Sequence, residues 1–480
     1  MALTAGPDRL LPFIAGAPYA VADFVPLEDP YRHEVVALVG TSDESTVTAA
    51  VAAAHAARRD MEAMPVHERA RLLRKAADLV AERAEEFAVQ VTRSTGKVLK
   101  HTRREAHRAP WTLRMAAAAA EAPDAGLPAA DAMPGGEGVL AMSARFPVGV
   151  VAAITPFNAP INLVLHKVAP ALAMGNTVVV KPAAEAPWPA LELARLLTDV
   201  GFPPGAVNVV PGDAASGQAL VADRRVALVT FTGGTDAGSA VRTAAGLRPV
   251  LLELGGNSAN IVHADADLKL ALEQALLGGF SNNGQSCNSV QRLLVHRSRY
   301  EEFTAALAAE AGRLLVGDPM DASTDIGPLI REAAAERVQR NLDAAVANGA
   351  TVRIGGRRDG AVVPPTVVAD VSHDEPLYSQ EAFAPLVITE PYDSIDEAIA
   401  LANDTSFALQ AAVFTTSSDV MTQCFRELRS GSVIVNRSSN FRLDQLPYGG
   451  IGASGWGREG PHFAALEMTY IKSLVVAPSR

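Results

Sequence analysis

The sequence predicts an α/β protein made of two doubly wound domains and a small β arm. Three observations carry that reading. From residue 144 onward, short continuous Val/Ile/Leu runs alternate with segments of helical periodicity. Strands that are apolar on both faces belong to parallel sheets covered by helices on either side. The same texture returns after residue 258 without repeating the sequence. Finally, 480 residues exceed one ordinary core, so about two to four domains of roughly 100 to 200 residues are expected.

The elements follow in chain order. Residues 42–123 read as helices, with segments such as 68–87 carrying apolar positions at three and four spacing. The stretch 124–137, rich in Ala, Pro and Gly, breaks that periodicity, and a strand is expected at 138–146. Strands at 148–154, 177–180, 207–210, 228–231 and 249–252 alternate with helices at 161–173 and 188–197. In the second half, strands are expected at 258–262, 291–295 and 432–436, and helices at 268–280, 300–315 and 395–403. A last strand at 471–476 has no place in either sheet, nor has 138–146, which suggests an arm that pairs across subunits.

Composition narrows the function classes. The 53 acidic and 42 basic residues leave a net charge of −11, a sign that repels phosphate backbones, so a nucleic-acid partner is set aside. Residues 1–7 show no basic region before an apolar stretch, and the apolar run 148–154 is far too short for a membrane span. The two cysteines, Cys287 and Cys424, form no CxxC or Cys/His cluster, so neither a disulfide framework nor a metal site is expected, and a reducing cytoplasm is the default location.

Those cysteines differ in setting. Cys424 lies in a helix-like stretch, 421–428, and reads as a packed small hydrophobe. Cys287 follows Gly284-Gln285-Ser286 and stands 34 residues after Glu253 in Glu253-Leu254-Gly255-Gly256. A thiolate nucleophile and a separate carboxylate base are the two parts that covalent aldehyde oxidation needs.

An ordered set of motifs extends this. Thr155-Pro156-Phe157-Asn158, Val180-Lys181-Pro182, Phe231-Thr232-Gly233-Gly234-Thr235, the Glu253 and Cys287 motifs, Glu381-Ala382-Phe383-Ala384-Pro385, and the run from Pro447-Tyr448-Gly449-Gly450 to Gly457-Arg458-Glu459-Gly460 resemble the aldehyde dehydrogenase superfamily over nearly the whole chain. The stretches 158–170 and 440–445 look like its branch acting on lactaldehyde, glyceraldehyde-type and phosphonoacetaldehyde substrates. The resemblance implies a Rossmann-like cofactor domain (1–123 and 147–253), a catalytic domain (254–446), a connecting segment (447–460) and an oligomerisation arm (124–146 and 461–480) in a homodimer or homotetramer.

It also implies roles. Cys287 attacks the aldehyde, Asn158 and the Cys287 N–H hold the oxyanion, and Glu253 activates water to hydrolyse a thioester. Lys181, counted with the catalytic set, holds the adenosine ribose. NAD or NADP is expected against Thr155, Pro156, Phe157, Ala184, Gly212, Phe231, Thr232, Gly233, Gly234, Gly238, Leu254, Glu381 and Phe383. The pyrophosphate would sit at the start of the helix after Gly234, although the G-x-G-x-x-G fingerprint is absent. Ala184 stands where NAD-preferring relatives carry a Glu, so a 2′-phosphate is not repelled; Gly234 replaces a commoner serine. Arg108, Arg442 and Ser286 are the expected substrate contacts, the arginines suiting an acidic tail. Ala159 and Ser286 stand where phosphonate-specific relatives carry basic residues, against phosphonate recognition. Two alternatives remain: transfer of the acyl group to coenzyme A or phosphate, which Glu253 disfavours, and a non-catalytic binding protein on the same fold.

Overall fold

Apolar runs with β-branched residues become the strands of two large sheets in the computed structural model, which describes residues 8–122 and 126–477. Readings that touch residues 1–7, 123–125 and 478–480 lie outside the described residues: the reading of the N-terminal segment, the start of the 124–137 stretch and the tip of the arm.

The first sheet has eight strands in the order Gly455–Trp456, Val250–Glu253, Val226–Thr232, Val150–Ile154, Thr177–Lys181, Val207–Val209, Phe13–Ile14, Ala17–Pro18. The run from Val250–Glu253 to Val207–Val209 is parallel, and antiparallel strands close both edges. Val150, Val151, Val178, Val179, Leu228 and Val229 are almost fully buried, as a sheet covered on both faces demands. Helices Val66–Glu82, Ala84–Thr95, Leu99–Glu121 and Asn162–Ala173 share one core with it. Glu44–Ala63 and Ala214–Ala222 pack on the other face. The chain enters at Val150–Ile154, builds outward through Thr177–Lys181 and Val207–Val209, then crosses to Val226–Thr232 on the other side. The reversal opens a crevice at the carboxyl ends of Val150–Ile154 and Val226–Thr232, the place where such sheets bind ligands.

The second sheet has seven strands, ordered Thr351–Ile354, Thr366–Ala369, Leu386–Tyr392, Val290–His296, Ser258–Val262, Gln410–Phe414, Ser432–Val435, all parallel except Thr351–Ile354. Leu140–Pro147 and Thr469–Val476 pair with each other into a two-stranded arm whose apolar side chains Leu140, Met142, Ile471, Leu474 and Val475 are exposed.

Three parts of the expected organisation change. Gly455–Trp456, expected to be connector, pairs with Val250–Glu253 and becomes an edge strand of the first sheet. Helix Pro461–Glu467, expected in the arm, packs on Leu99–Glu121 and Asn162–Ala173, and Ala464 and Met468 belong to the first core. Near the N-terminus, where no strands were expected, Asp8–Leu10, Val35–Gly40 and Phe24–Glu28 form a small sheet of their own.

Candidate active site

Cys287 is presented by a backbone turn that few residues tolerate. Asn282, Asn283 and Gly284 are consecutively left-handed, with φ of 57°, 55° and 68°, a conformation that asparagine and glycine adopt most readily. At Gly284 a β-carbon would also lie 2.0 Å from the Ala384 carbonyl oxygen. Side chains hold the turn: Asn283 Nδ2 donates to the Pro328 carbonyl (2.8 Å), its Oδ1 accepts from the Gly327 N–H (2.8 Å), and Gln285 Oε1 accepts from the Ile330 N–H (3.0 Å). On the far side a β-carbon on Gly256 would sit 2.0 Å from the Cys287 carbonyl oxygen. Glycine is thus required there for the carboxylate loop to pass the nucleophile loop.

Cys287 lines two cavities, of about 330 Å³ and about 240 Å³, and stands where they meet. Asn158 faces both; its Nδ2 donates to the Gln285 carbonyl at 2.9 Å, which leaves the second amide hydrogen for a ligand. Ser286 lines the larger cavity. Glu253, at the end of its strand, faces the smaller one and is 6% exposed, with Oε2 lacking any partner among the described residues. Burial, reinforced by the charge of Glu459, pushes its carboxyl well above the usual range against the pull of Arg442, Lys167 and Arg458. Tyr448, unassigned from sequence although its motif was noted, places its hydroxyl 3.0 Å from Cys287 Sγ. Burial drives the thiol up to about 12, and the Tyr448 hydrogen bond works against that rise.

Behind these groups lies a buried charge cluster that sequence reading missed. Lys167 Nζ donates to Glu459 Oε1 and Thr230 Oγ1, both at 3.1 Å. Arg442 donates to Glu459 Oε2 (3.0 Å), and its guanidinium lies 3.9 Å from the Tyr448 ring centre. Asp444 takes Arg108 Nε at 2.9 Å and His166 Nε2 at 3.2 Å. Although burial opposes it, those two partners hold the Asp444 carboxyl far below its usual range. The expectation for the arginines changes accordingly: Arg108 and Arg442 do line the larger cavity, but each charge is already matched by a buried carboxylate.

The smaller cavity gathers most of the expected cofactor residues: Pro156, Phe157, Thr232, Gly233, Gly234, Leu254, Glu381 and Phe383. Helix Thr235–Ala245 starts after Gly234 with no side-chain cap, a β-carbon on Gly234 would meet nothing within 4 Å, and the buried Thr232 Oγ1 lacks a partner. Uncapped N–H groups beside open space and a spare hydroxyl fit a pyrophosphate. Glu381 accepts from the Gly256 N–H at 3.0 Å, and burial raises its carboxyl to about 7. Phe383 is left-handed (φ 51°) and meets Phe157 edge-on at 5.9 Å; Arg337, not foreseen, fixes this segment by donating to the Glu381 and Ala382 carbonyls at 3.2 and 2.8 Å.

Six expected residues sit elsewhere. Thr155 and Phe231 are buried under the crevice floor, at 4% and 6% exposure. Gly238 admits Leu254, whose Cδ2 would be 2.4 Å from a β-carbon, so it serves helix packing. Lys181 ends its strand near Glu185 and Asp213 and lines neither of the two cavities that Cys287 shares. Ala184 and Gly212 line a third cavity of about 990 Å³ beside it.

Among the described residues there is no His/Cys/Asp/Glu group able to hold a metal ion, and no helix is long and apolar enough to cross a membrane.

Comparison with known proteins gives one family. The profile described as "Aldehyde dehydrogenase family" matches residues 20–474. A 3-sulfolactaldehyde dehydrogenase of Priestia aryabhattai is 43% identical over 97% of both chains. Two solved structures superpose closely. One is an aldehyde dehydrogenase of Bacillus cereus with NAD+, with a TM-score of 0.94 and 33% identity, covering 98% of this chain and 97% of that one. The other is a glyceraldehyde-3-phosphate dehydrogenase of Methanocaldococcus jannaschii with NADP, with a TM-score of 0.91 and 34% identity, covering 95% and 99%.

Proposed function

The chain belongs to the aldehyde dehydrogenase family and is an NAD(P)-dependent oxidoreductase acting on aldehydes, and we propose that it converts a small polar aldehyde with an anionic tail into the free carboxylic acid through a covalent bond to Cys287. The observation that carries this reading is that Cys287, the Asn158 amide and the Glu253 carboxyl face one cavity.

Cys287 must act as thiolate, and burial resists that charge. Tyr448 answers with a hydroxyl donor: its own ionisation is pushed well above the normal value, burial first, so it keeps its proton. Sulfur attack on the carbonyl carbon breaks the C=O π bond and leaves an oxyanion. Asn158 Nδ2 and the Cys287 N–H are the donors that receive it; removing one such donor typically costs about 2.7–4 kcal/mol of transition-state stabilisation. When bound, the nicotinamide supplies the hydride acceptor that lets the thiohemiacetal become a thioester. Glu253 then takes a proton from water attacking the thioester carbon, the C–S bond breaks, and the acid leaves as Cys287 returns to its thiolate. Because the Glu253 carboxyl lies above its usual range, it is protonated at low pH, and hydrolysis should accelerate as pH rises through that raised value. Glu253→Gln should therefore give a burst of reduced cofactor near one per active site, followed by turnover slowed about 10²- to 10⁴-fold. A steady rate equal to that of the unaltered enzyme would reject the base, and acyl-coenzyme A as product would reject hydrolysis.

Substrate and cofactor preferences follow from neighbours. By their names, the Priestia and Methanocaldococcus proteins act on short aldehydes bearing a sulfonate or phosphate at the far end. Ala184 offers no carboxylate to the adenosine ribose, and Glu185 instead lies 3.8 Å from Arg331, so NADP is accepted beside NAD. The apolar outer surface of the arm is covered by a second copy of the chain in a homodimer or homotetramer. A reducing cytoplasm keeps Cys287 available.

A further inference from the structure

The tail of the substrate needs a charge, and the cavity offers few. Its wall carries Lys97, Arg104, Arg108 and Arg442 against a single carboxylate, Glu105. Glu105 is used up: Oε2 accepts from Lys97 Nζ at 2.6 Å, and Oε1 accepts the N–H groups of Ile161 and Asn162 at 2.8 and 3.1 Å. Arg108 belongs to Asp444 and Arg442 to Glu459. Arg104 alone pairs with no carboxylate among the described residues, and it is exposed where it reaches the cavity wall.

One turn earlier on helix Leu99–Glu121 stands His101, also on the cavity wall. Residues three apart share a helix face. His101 Nδ1 accepts the Asn282 N–H at 2.9 Å. An acceptor nitrogen carries no proton, so in the neutral ring the proton sits on Nε2, which makes no hydrogen bond among the described residues. The ring stays neutral because burial, with Lys97, Arg104 and Lys100 adding to it, lowers it to about 3. A guanidinium without a counter-ion among the described residues and a fixed N–H donor therefore line the same cavity as Cys287.

We propose that Arg104 and the His101 Nε2–H form the seat for the oxoanion tail of the substrate, whether sulfonate, phosphate or carboxylate, and that they set the enzyme's preference for anionic over neutral aldehydes. This rests on the aldehyde-oxidising reading above. It moves tail recognition from Arg108 and Arg442, which hold the Asp444 and Glu459 framework, to a residue that nothing else occupies.

The test is steady-state kinetics of the full-length enzyme at saturating cofactor, with lactaldehyde as the neutral substrate and 3-sulfolactaldehyde, glyceraldehyde 3-phosphate and succinic semialdehyde as the anionic ones. Arg104→Gln should raise KM for the anionic aldehydes on the order of tenfold with kcat little changed, and leave lactaldehyde unaffected. Arg103→Gln, which loses an exposed pair with Glu85, should change neither. The anion with the greatest loss identifies the natural tail. Added salt should lower kcat/KM of the unaltered enzyme for anionic aldehydes only. Equal effects on charged and neutral substrates, or none, would overturn the proposal. An unaltered enzyme that oxidises only neutral aldehydes would overturn it while the aldehyde-oxidising function stands; one that oxidises no aldehyde would overturn both.

Discussion

Tyr448 shows what a single residue contributes that linear sequence hides. It lies 161 positions from Cys287 along the chain, yet its hydroxyl is the group hydrogen-bonded to the thiol. Removing that donor should push an already elevated thiol higher, so at any given pH less thiolate forms. Tyr448→Phe should slow alkylation of Cys287 by iodoacetamide about tenfold below the thiol pKa and move the pH midpoint upward, with cofactor affinity unchanged. An unmoved midpoint would remove the hydroxyl from the account. Cys287, Glu253 and Asn158 were legible because each sits in a short motif of fixed residue types. Asp444, Lys167 and Glu459 were not singled out, because their meaning lies in partners up to 336 positions apart. Arg108 and Arg442 were found as cavity residues without their partners, since sequence shows a charge and not the carboxylate that pairs with it.

Elements were readable where local chemistry fixed their ends. Helices at 268–280 and 395–403 match their expected bounds because Asp267 and Ser394 cap them, accepting from the Leu270 and Glu397 N–H groups. The helix from Tyr300 stops at Ala311 and not at 315, because Gly312 follows and packs against Ile354. Strand Gln410–Phe414 escaped notice since Gln-Ala-Ala-Val-Phe has no alternation and three good helix formers; burial between Ser258–Val262 and Ser432–Val435 overrides that preference. Thr366–Ala369 is only four residues long, and Leu386–Tyr392 contains Pro391, which argues against a strand in sequence alone. At the end of strand Thr177–Lys181, Ala184→Glu should restore a carboxylate to the ribose and raise KM for NADP about tenfold relative to NAD, measured in parallel titrations of the two cofactors. An unchanged ratio would place cofactor choice elsewhere.

At the scale of the whole molecule, two parallel sheets bring a cofactor crevice and a nucleophile loop together from separate halves of the chain. The sequence texture was sufficient for a two-sheet architecture and for the arm strands, but not for four of the second sheet's seven strands. It could not show that Gly455–Trp456 returns to the first sheet or that helix Pro461–Glu467 seals its core, because both are long-range pairings of short segments. That return places Gly455 beside Glu253 and brings Tyr448 and Glu459 to the cavity that Cys287 shares. The claim on which everything else depends is a covalent acyl bond at Cys287, and peptide mass spectrometry of Glu253→Gln, acid-quenched during turnover with aldehyde and cofactor, tests it most directly. The account predicts an increment equal to the aldehyde less two hydrogens on the peptide holding Cys287 and none on the peptide holding Cys424; aldehyde-dependent cofactor reduction that persists in Cys287→Ala, with no adduct in either peptide, would contradict it.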